Sequence, residues 1–257
     1  MELQFTSSLA DGYNASQQKI RVLSEHWVKS QVYCPGCGNG TLDRYNNNRP
    51  VADFICRFCG EQFELKSQRE KFGPRIVDGA YSTMIKRITG DQNPNFFLLA
   101  YDGARLSVTD LVIIPKQFFT PKIIECRKPL AESARRKGWI GCNINLGGVP
   151  ASGRIAIVAK GAVVPKSHVI NSWRHTLFLR NQANIDAKGW LLSVMGLIDR
   201  VGQPTFTLND LYQLESDVRS TYPENRHVRA KIRQQLQVLR DKGYLEFTGR
   251  GTYSLTN

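Results

Sequence analysis

Residues 53–66 read DFICRFCGEQFELK, and two kinds of cation chemistry are interleaved in them. Asp53 opens the stretch, Glu64 and Lys66 close it, and the pair Cys56-Arg-Phe-Cys59 lies between. Short apolar segments at both ends predict two strands, over 52–56 and 62–66, joined by a cysteine knuckle. Residues two apart on a strand point to the same face, so Glu64 and Lys66 emerge together while Phe63 and Leu65 turn to the core. Ten residues separate Asp53 from Glu64, which lets Asp53 lie opposite Glu64 on the neighbouring strand, with the knuckle pinning their connection.

A second knuckle, Cys34-Pro-Gly-Cys37, precedes the first with 18 residues between the two pairs. Four thiolates at this spacing match a structural, tetrahedral Zn²⁺ site made by Cys34, Cys37, Cys56 and Cys59. Gly36, Gly38 and Gly60 ease the tight turns. With sulfur in all four positions the metal has no open coordination site for chemistry. Cys126 and Cys142 stand alone and read as packed side chains.

The carboxylates call for a different ion. Asp53, Glu64 and the backbone carbonyl of Leu65 are hard oxygen donors of the kind that hold Mg²⁺. An ion there can bind a scissile phosphate, offset developing charge and lower the pKa of a bound water. Lys66 can orient that water and offset the phosphate's charge; whether it is the general base is not legible from sequence. Taken alone, D-x(10)-E-x-K is a weak pattern, equally readable as a surface Asp and an ordinary Glu-Lys strand pair.

Charge strengthens it. The chain has 35 Lys plus Arg against 22 Asp plus Glu, a formal net charge of +13, which points to a polyanionic partner such as nucleic acid. The 41% hydrophobic content excludes a disordered chain, and six cysteines in 257 residues are no disulfide scaffold. No apolar run reaches the roughly 18 residues needed to span a membrane, and the first residues lack a signal-peptide pattern, so a soluble, cytoplasmic protein is expected.

Working outward, Ile20, Leu23 and Trp27 fall on one side of a helix predicted over 15–29. Residues 76–89 read as a second helix, and 96–101, 111–114 and 154–159 as strands. The mixture predicts an α/β domain over residues 1–181. Beyond it the pattern changes to helix, helix, helix, hairpin. A helix is expected over 189–201. Thr207, with Asp210 three residues on, caps another to about 219. Pro223 precedes a third over 224–242, striped by Val228, Ile232, Leu236 and Leu239. Strands over 244–247 and 252–255 flank a turn at 248–251. This order predicts a winged-helix module over residues 184–257.

Two regions are candidates for holding DNA. Residues 116–137 carry Lys116, Lys122, Arg127, Lys128, Arg135, Arg136 and Lys137 against Glu125 and Glu132, and end at Gly138-Trp139. Arg135 and Arg136 suit phosphates, and Trp139 suits either a core position or an apolar wall for a methyl group in the major groove. In the third helix of the module Arg229, Lys231, Arg233 and Gln234 are candidate contacts, with Arg250 at the wing tip.

Pro50, Asp53, Glu64 and Lys66 occupy the motif positions of the PD-(D/E)xK nucleases, which this chain resembles. Zinc knuckles interleaved with the catalytic strands narrow the resemblance to the DpnI-like methyl-directed restriction endonucleases. So do the stretches NNNRPVADF, FELKS, NPNFF, RKPLA, ARRKGWIGCNI and IRQQLQVLRDK. The similarity covers essentially the whole chain. It implies a restriction-endonuclease-like mixed sheet with an inserted zinc site plus a small winged helix. It also implies a bacterial, Mg²⁺-dependent enzyme cutting double-stranded DNA at G-A-T-C sites whose adenine carries an N6-methyl group, with both domains reading the site. A monomer without an obligate protein partner is expected. The residues alone leave two other functions open: a non-catalytic zinc and winged-helix regulator of DNA, and a nuclease of the same fold without methyl specificity.

Overall fold

The computed structural model describes residues 1–45, 52–90, 93–182 and 184–256. Pro50 falls outside the described residues. The chain begins with α1 (Ser16–Gln31), β1 (Asp43–Arg44), β2 (Phe54–Ile55), β3 (Gln62–Arg69), β4 (Arg75–Ala80) and α2 (Tyr81–Thr89). It continues with β5 (Asn95–Asp102), β6 (Ser107–Ile114), β7 (Ile124–Cys126), β8 (Gly141–Asn145), β9 (Ile155–Ala159), β10 (Ala162–Val163) and α3 (Lys166–His175). Among the described residues the main sheet runs β1-β2-β3-β5-β6-β9-β10, with β3 and β5 parallel and the other pairs antiparallel. A second antiparallel sheet has the order β4-β8-β7.

β5 reads NFFLLAYD without alternation because both faces of the main sheet are covered. Phe97 and Leu99 face one core with Leu111, Ile113 and Ile157, under Trp27 and Val28 of α1 and Trp173 of α3. Phe96 and Leu98 face the other, with Ile114, Met84 of α2 and Ile76 and Ile144 of the second sheet.

The helix expected over 76–89 is wrong in its first half. Residues through Ala80 form β4, and only Tyr81–Thr89 is helical. Ile76 and Val77 are β-branched and Gly79 is a poor helix former, while β8 supplies a ladder in which Ile76 pairs with Ile144. The tertiary partner decides between two readings that periodicity left close.

The C-terminal part comprises α4 (Ile185–Val201), β11 (Thr205–Thr207), α5 (Leu208–Gln213), α6 (Glu215–Thr221), α7 (Val228–Asp241), β12 (Leu245–Gly249) and β13 (Thr252–Leu255). The expected cap is present: Asp210 N–H donates to Thr207 Oγ1, and Thr207 N–H donates to Asp210 Oδ2 at 2.7 Å. The single helix expected from there to 219 is instead two, broken at Leu214, whose N–H turns back to the Leu211 carbonyl. The break lets Leu211 and Val218 both reach the core. The third helix starts at Val228 rather than at 224, because Asn225 N–H bonds Tyr222 O and the Asn225 side chain takes the His227 N–H. β11 joins the terminal hairpin in a sheet of order β11-β13-β12.

α4 is buried at Trp190, Leu191, Leu192, Val194, Met195, Leu197 and Ile198, and it packs in the same core as Phe96 and Ile144. That core continues to Ile232 and Leu236 of α7. No helix among the described residues is long and apolar enough to cross a membrane.

Candidate active site

β2 and β3 bring the three residues of the motif together. Phe54 pairs with Phe63, so Asp53 falls opposite Glu64, and its N–H bonds Phe63 O at 2.9 Å. β2 begins at Phe54, so Leu65 has no strand partner there; its N–H donates to Asp53 Oδ2 at 2.7 Å. In an extended strand a residue's N–H and C=O leave on the same edge, so the Leu65 carbonyl also faces Asp53. Glu64 and Lys66 lie in register with Phe96 and Leu98 of β5 and share their face. Burial pushes the Asp53 carboxyl above the ordinary carboxylate range; the Leu65 N–H opposes this, and the charge of Glu64 adds to it.

Two residues that the sequence did not single out complete the cluster. Lys66 Nζ lies 2.7 Å from Glu64 Oε1 and 2.7 Å from Asp78 Oδ1, and Arg87 Nη2 lies 3.0 Å from Glu64 Oε2. Asp78 arrives on β4 and Arg87 on α2, so the site lies in the seam between the two sheets. Burial works to lower the Lys66 ammonium, but the carboxylates of Glu64 and Asp78 outweigh it and hold the lysine protonated beyond its usual range. Reading 76–89 as one helix hid Asp78; Ile-Val-Asp-Gly, a β-branched pair ahead of a helix breaker, was the available signal. Arg87 has no local signature, since it meets Glu64 only through tertiary packing.

The four cysteine sulfurs lie within 4.8 Å of one another, with Cys34–Cys59 at 3.5 Å and Cys37–Cys56 at 3.6 Å. A tetrahedron with metal–sulfur bonds of about 2.3 Å has edges of roughly 3.8 Å, so the cluster is compatible with structural zinc. The two knuckles repeat one backbone pattern. Gly38 N–H bonds Cys34 O and Gly60 N–H bonds Cys56 O, both at 2.8 Å, with the glycines at φ +78° and +76°. Burial works to raise the Cys56 thiol, but the N–H groups of Cys59 and Phe58 outweigh it and leave the thiol lowered. At Cys34 and Cys59 burial outweighs the backbone N–H groups and the thiols are raised, so backbone geometry favours thiolate at Cys56 alone among these three. Glu61 ties the second knuckle inward, at 2.7 Å from Arg180 Nη1 and accepting from Asn95 Nδ2 at 2.8 Å. Cys142 is packed as expected, with burial pushing its thiol up to about 11, but Cys126, its register partner across β7 and β8, is exposed.

A sequence profile described as "DpnI: Dam-replacing family" matches residues 1–182, and one described as "DpnI_C: Dam-replacing HTH domain" matches residues 186–255. The chain belongs to the DpnI family. As a DpnI-family protein it is a methylation-dependent restriction endonuclease, a hydrolase acting on DNA, and carries a C-terminal helix-turn-helix domain.

The DpnI-family chain has its basic loop between β7 and β8, beside the strand that bears Asp78. Leu130 N–H bonds Trp139 O, and Gly138, at φ +72°, bonds Leu130 O. These bonds brace a projection on which Arg135 and Arg136 are exposed. Trp139 is half-buried with the Arg136 guanidinium 4.8 Å from its ring centroid, and its indole rests on Gly141, where a Cβ would meet it at 2.8 Å. On α7, Arg229 is drawn back to Glu215 at 2.7 Å and over the Tyr212 ring, and Lys231 is half-buried. Arg233 and Gln234 are exposed, as is Arg250 in the turn between β12 and β13.

Proposed function

We propose that this chain is a Mg²⁺-dependent type II endonuclease that hydrolyses double-stranded DNA at G-A-T-C sites carrying N6-methyladenine. The observation that carries the catalytic part is the placement of Asp53 opposite Glu64, with Lys66 on the same face and the Leu65 carbonyl turned towards Asp53. These oxygens would hold the ion, whose chemistry is charge neutralisation at the scissile phosphate and a bound water of lowered pKa. Asp53 is fixed for that role by the Leu65 N–H. Lys66 orients the attacking water and offers positive charge to the phosphate. Cys34, Cys37, Cys56 and Cys59 would hold zinc and fix the connection between the catalytic strands.

The nuclease part is assigned to residues 1–181 and the winged helix to 184–257. Arg135 and Arg136 position the backbone, and Trp139 offers an apolar face to the added methyl. Arg233 and Gln234 are the best-placed readers on α7, with Arg250 reaching phosphate from the wing. Arg229 and Lys231 engage DNA only after leaving their contacts within the module. The chain acts as a monomer on adenine-methylated DNA.

One plasmid prepared with and without adenine methylation at G-A-T-C, digested with Mg²⁺, tests the whole reading. Discrete fragments from the methylated plasmid alone are expected. Equal cutting of both removes the methyl specificity. Asp53→Ala is expected to lower cleavage at least about a thousandfold while DNA binding persists, and an active variant would falsify the catalytic assignment.

A further inference from the structure

Lys66 is held from two sides. Its ammonium is 2.7 Å from Glu64 on its own strand and 2.7 Å from Asp78 on a strand of the other sheet. With Arg87 at 3.0 Å from the second oxygen of Glu64, the charges alternate along a row: Arg87, Glu64, Lys66, Asp78. The Asp78 side chain is only 9% exposed. Its Oδ1 also accepts the Gly79 N–H at 2.7 Å, while Oδ2 is buried without a hydrogen-bond partner. A buried carboxylate with an unfilled oxygen is costly. β4 does not need it, since a neutral Asn would accept the Gly79 N–H equally well.

We propose that Asp78 is a positioning residue that keeps Lys66 in the site, and draws it off Glu64, when a divalent cation binds there. This rests on the reading above that Asp53 and Glu64 hold that cation. Both oxygens of Glu64 are engaged by cationic side chains, so a divalent ion meets positive charge at either one and binds better when one of them withdraws. Lys66 is the partner that can yield, because Asp78 retains its charge in a second ion pair. Without Asp78 the ammonium has Glu64 as its ion-pair partner and competes directly with the metal. The site also loses one negative charge. Both changes weaken cation binding, and a released Lys66 no longer holds the water in place.

The test is Mn²⁺ binding by titration calorimetry to the full, zinc-loaded chain without DNA. Asp78→Asn is compared with the parent in two backgrounds, native Lys66 and Lys66→Met. The expected result is Mn²⁺ affinity about tenfold weaker with the native lysine and less than about threefold weaker in the Lys66→Met background, a non-additivity diagnostic of action through Lys66. Mg²⁺ required for half-maximal cleavage rises in parallel, and Asp78→Glu restores part of it. If Asp78→Asn does not fold, Asp78→Ser, which keeps an acceptor for Gly79, takes its place. Equal penalties in both backgrounds overturn the proposal, provided Asp53→Ala still abolishes Mn²⁺ binding. Binding that survives Asp53→Ala overturns the cation site itself and this proposal with it.

Discussion

The cysteine cluster and the oxygen cluster share residues 53–66 but are assembled by different means. Backbone shapes the first. Each knuckle closes through a glycine N–H on a cysteine carbonyl and points further N–H groups at sulfur, so its ligand set is arranged within a few residues. Side chains shape the second. Asp53, Glu64, Lys66, Asp78 and Arg87 come from four elements or their edges; the last four form a chain of ion pairs, and Asp53 takes the Leu65 N–H. The first cluster has its four sulfurs gathered at spacings compatible with zinc. The second, on the proposed reading, would take its metal beside internal ion pairs, which would let the site's own cationic side chains regulate affinity.

The largest effect expected from this contrast is at Cys56. Cys56→Ser should lower the thermal midpoint by about 10 °C or more and reduce cleavage over a hundredfold, because structural zinc contributes folding free energy directly. A variant that loses zinc yet cuts normally would break the claim that the knuckle pins the catalytic strands. Next comes the tie between the two regions. Glu61→Ala leaves Arg180 without its 2.7 Å partner and should cost about 3 kcal/mol in urea unfolding, at the low end for a broken buried pair because Arg180 is 30% exposed. A cost under about 0.5 kcal/mol would show knuckle and sheet to be independent.

The smallest effect sharpens the second half of the contrast. Arg87→Met removes positive charge beside Glu64, so Mn²⁺ affinity should rise about threefold, a modest Coulomb gain, while the maximal cleavage rate falls. That sign is opposite to the one expected for Asp78→Asn. Weaker binding instead would mean that Arg87 orients Glu64 for the metal rather than competing with it.

How much was legible follows from the same division. Cys34, Cys37, Cys56 and Cys59 could be read from spacing because each knuckle is local. Glu64 and Lys66 followed from the two-residue period of a strand, and Asp53 from its distance to a strand of matching length. Asp78 was missed because Ile76, Val77 and Met84 fit a helical stripe as well as they fit a strand leading into a helix. Pairing with β8, a segment 60-odd residues away in sequence, decides the matter. Arg229 illustrates the converse: charge and helical position identified it, but the Glu215 and Tyr212 contacts that hold it back arise from the break at Leu214.

α4 has a consequence for how such a protein can change over time. Its apolar surface is shared between α7 and the turn at 146–148, and it is fastened further by Ala151 N–H on Asp199 at 2.6 Å, while Lys122 Nζ on Thr221 O at 3.4 Å ties the end of α6 to the nuclease part. The DNA-binding module is therefore not cargo on a tether. Severing the chain near residue 184 would expose the flank of α4 and the nuclease residues that share its core, Leu146 among them, so neither piece could be traded freely with another protein. On the proposed reading, in which the β7–β8 loop and α7 both hold DNA, the span between them would behave as a ruler of set length rather than the fluctuating reach of a linker, and duplex DNA would conform to it.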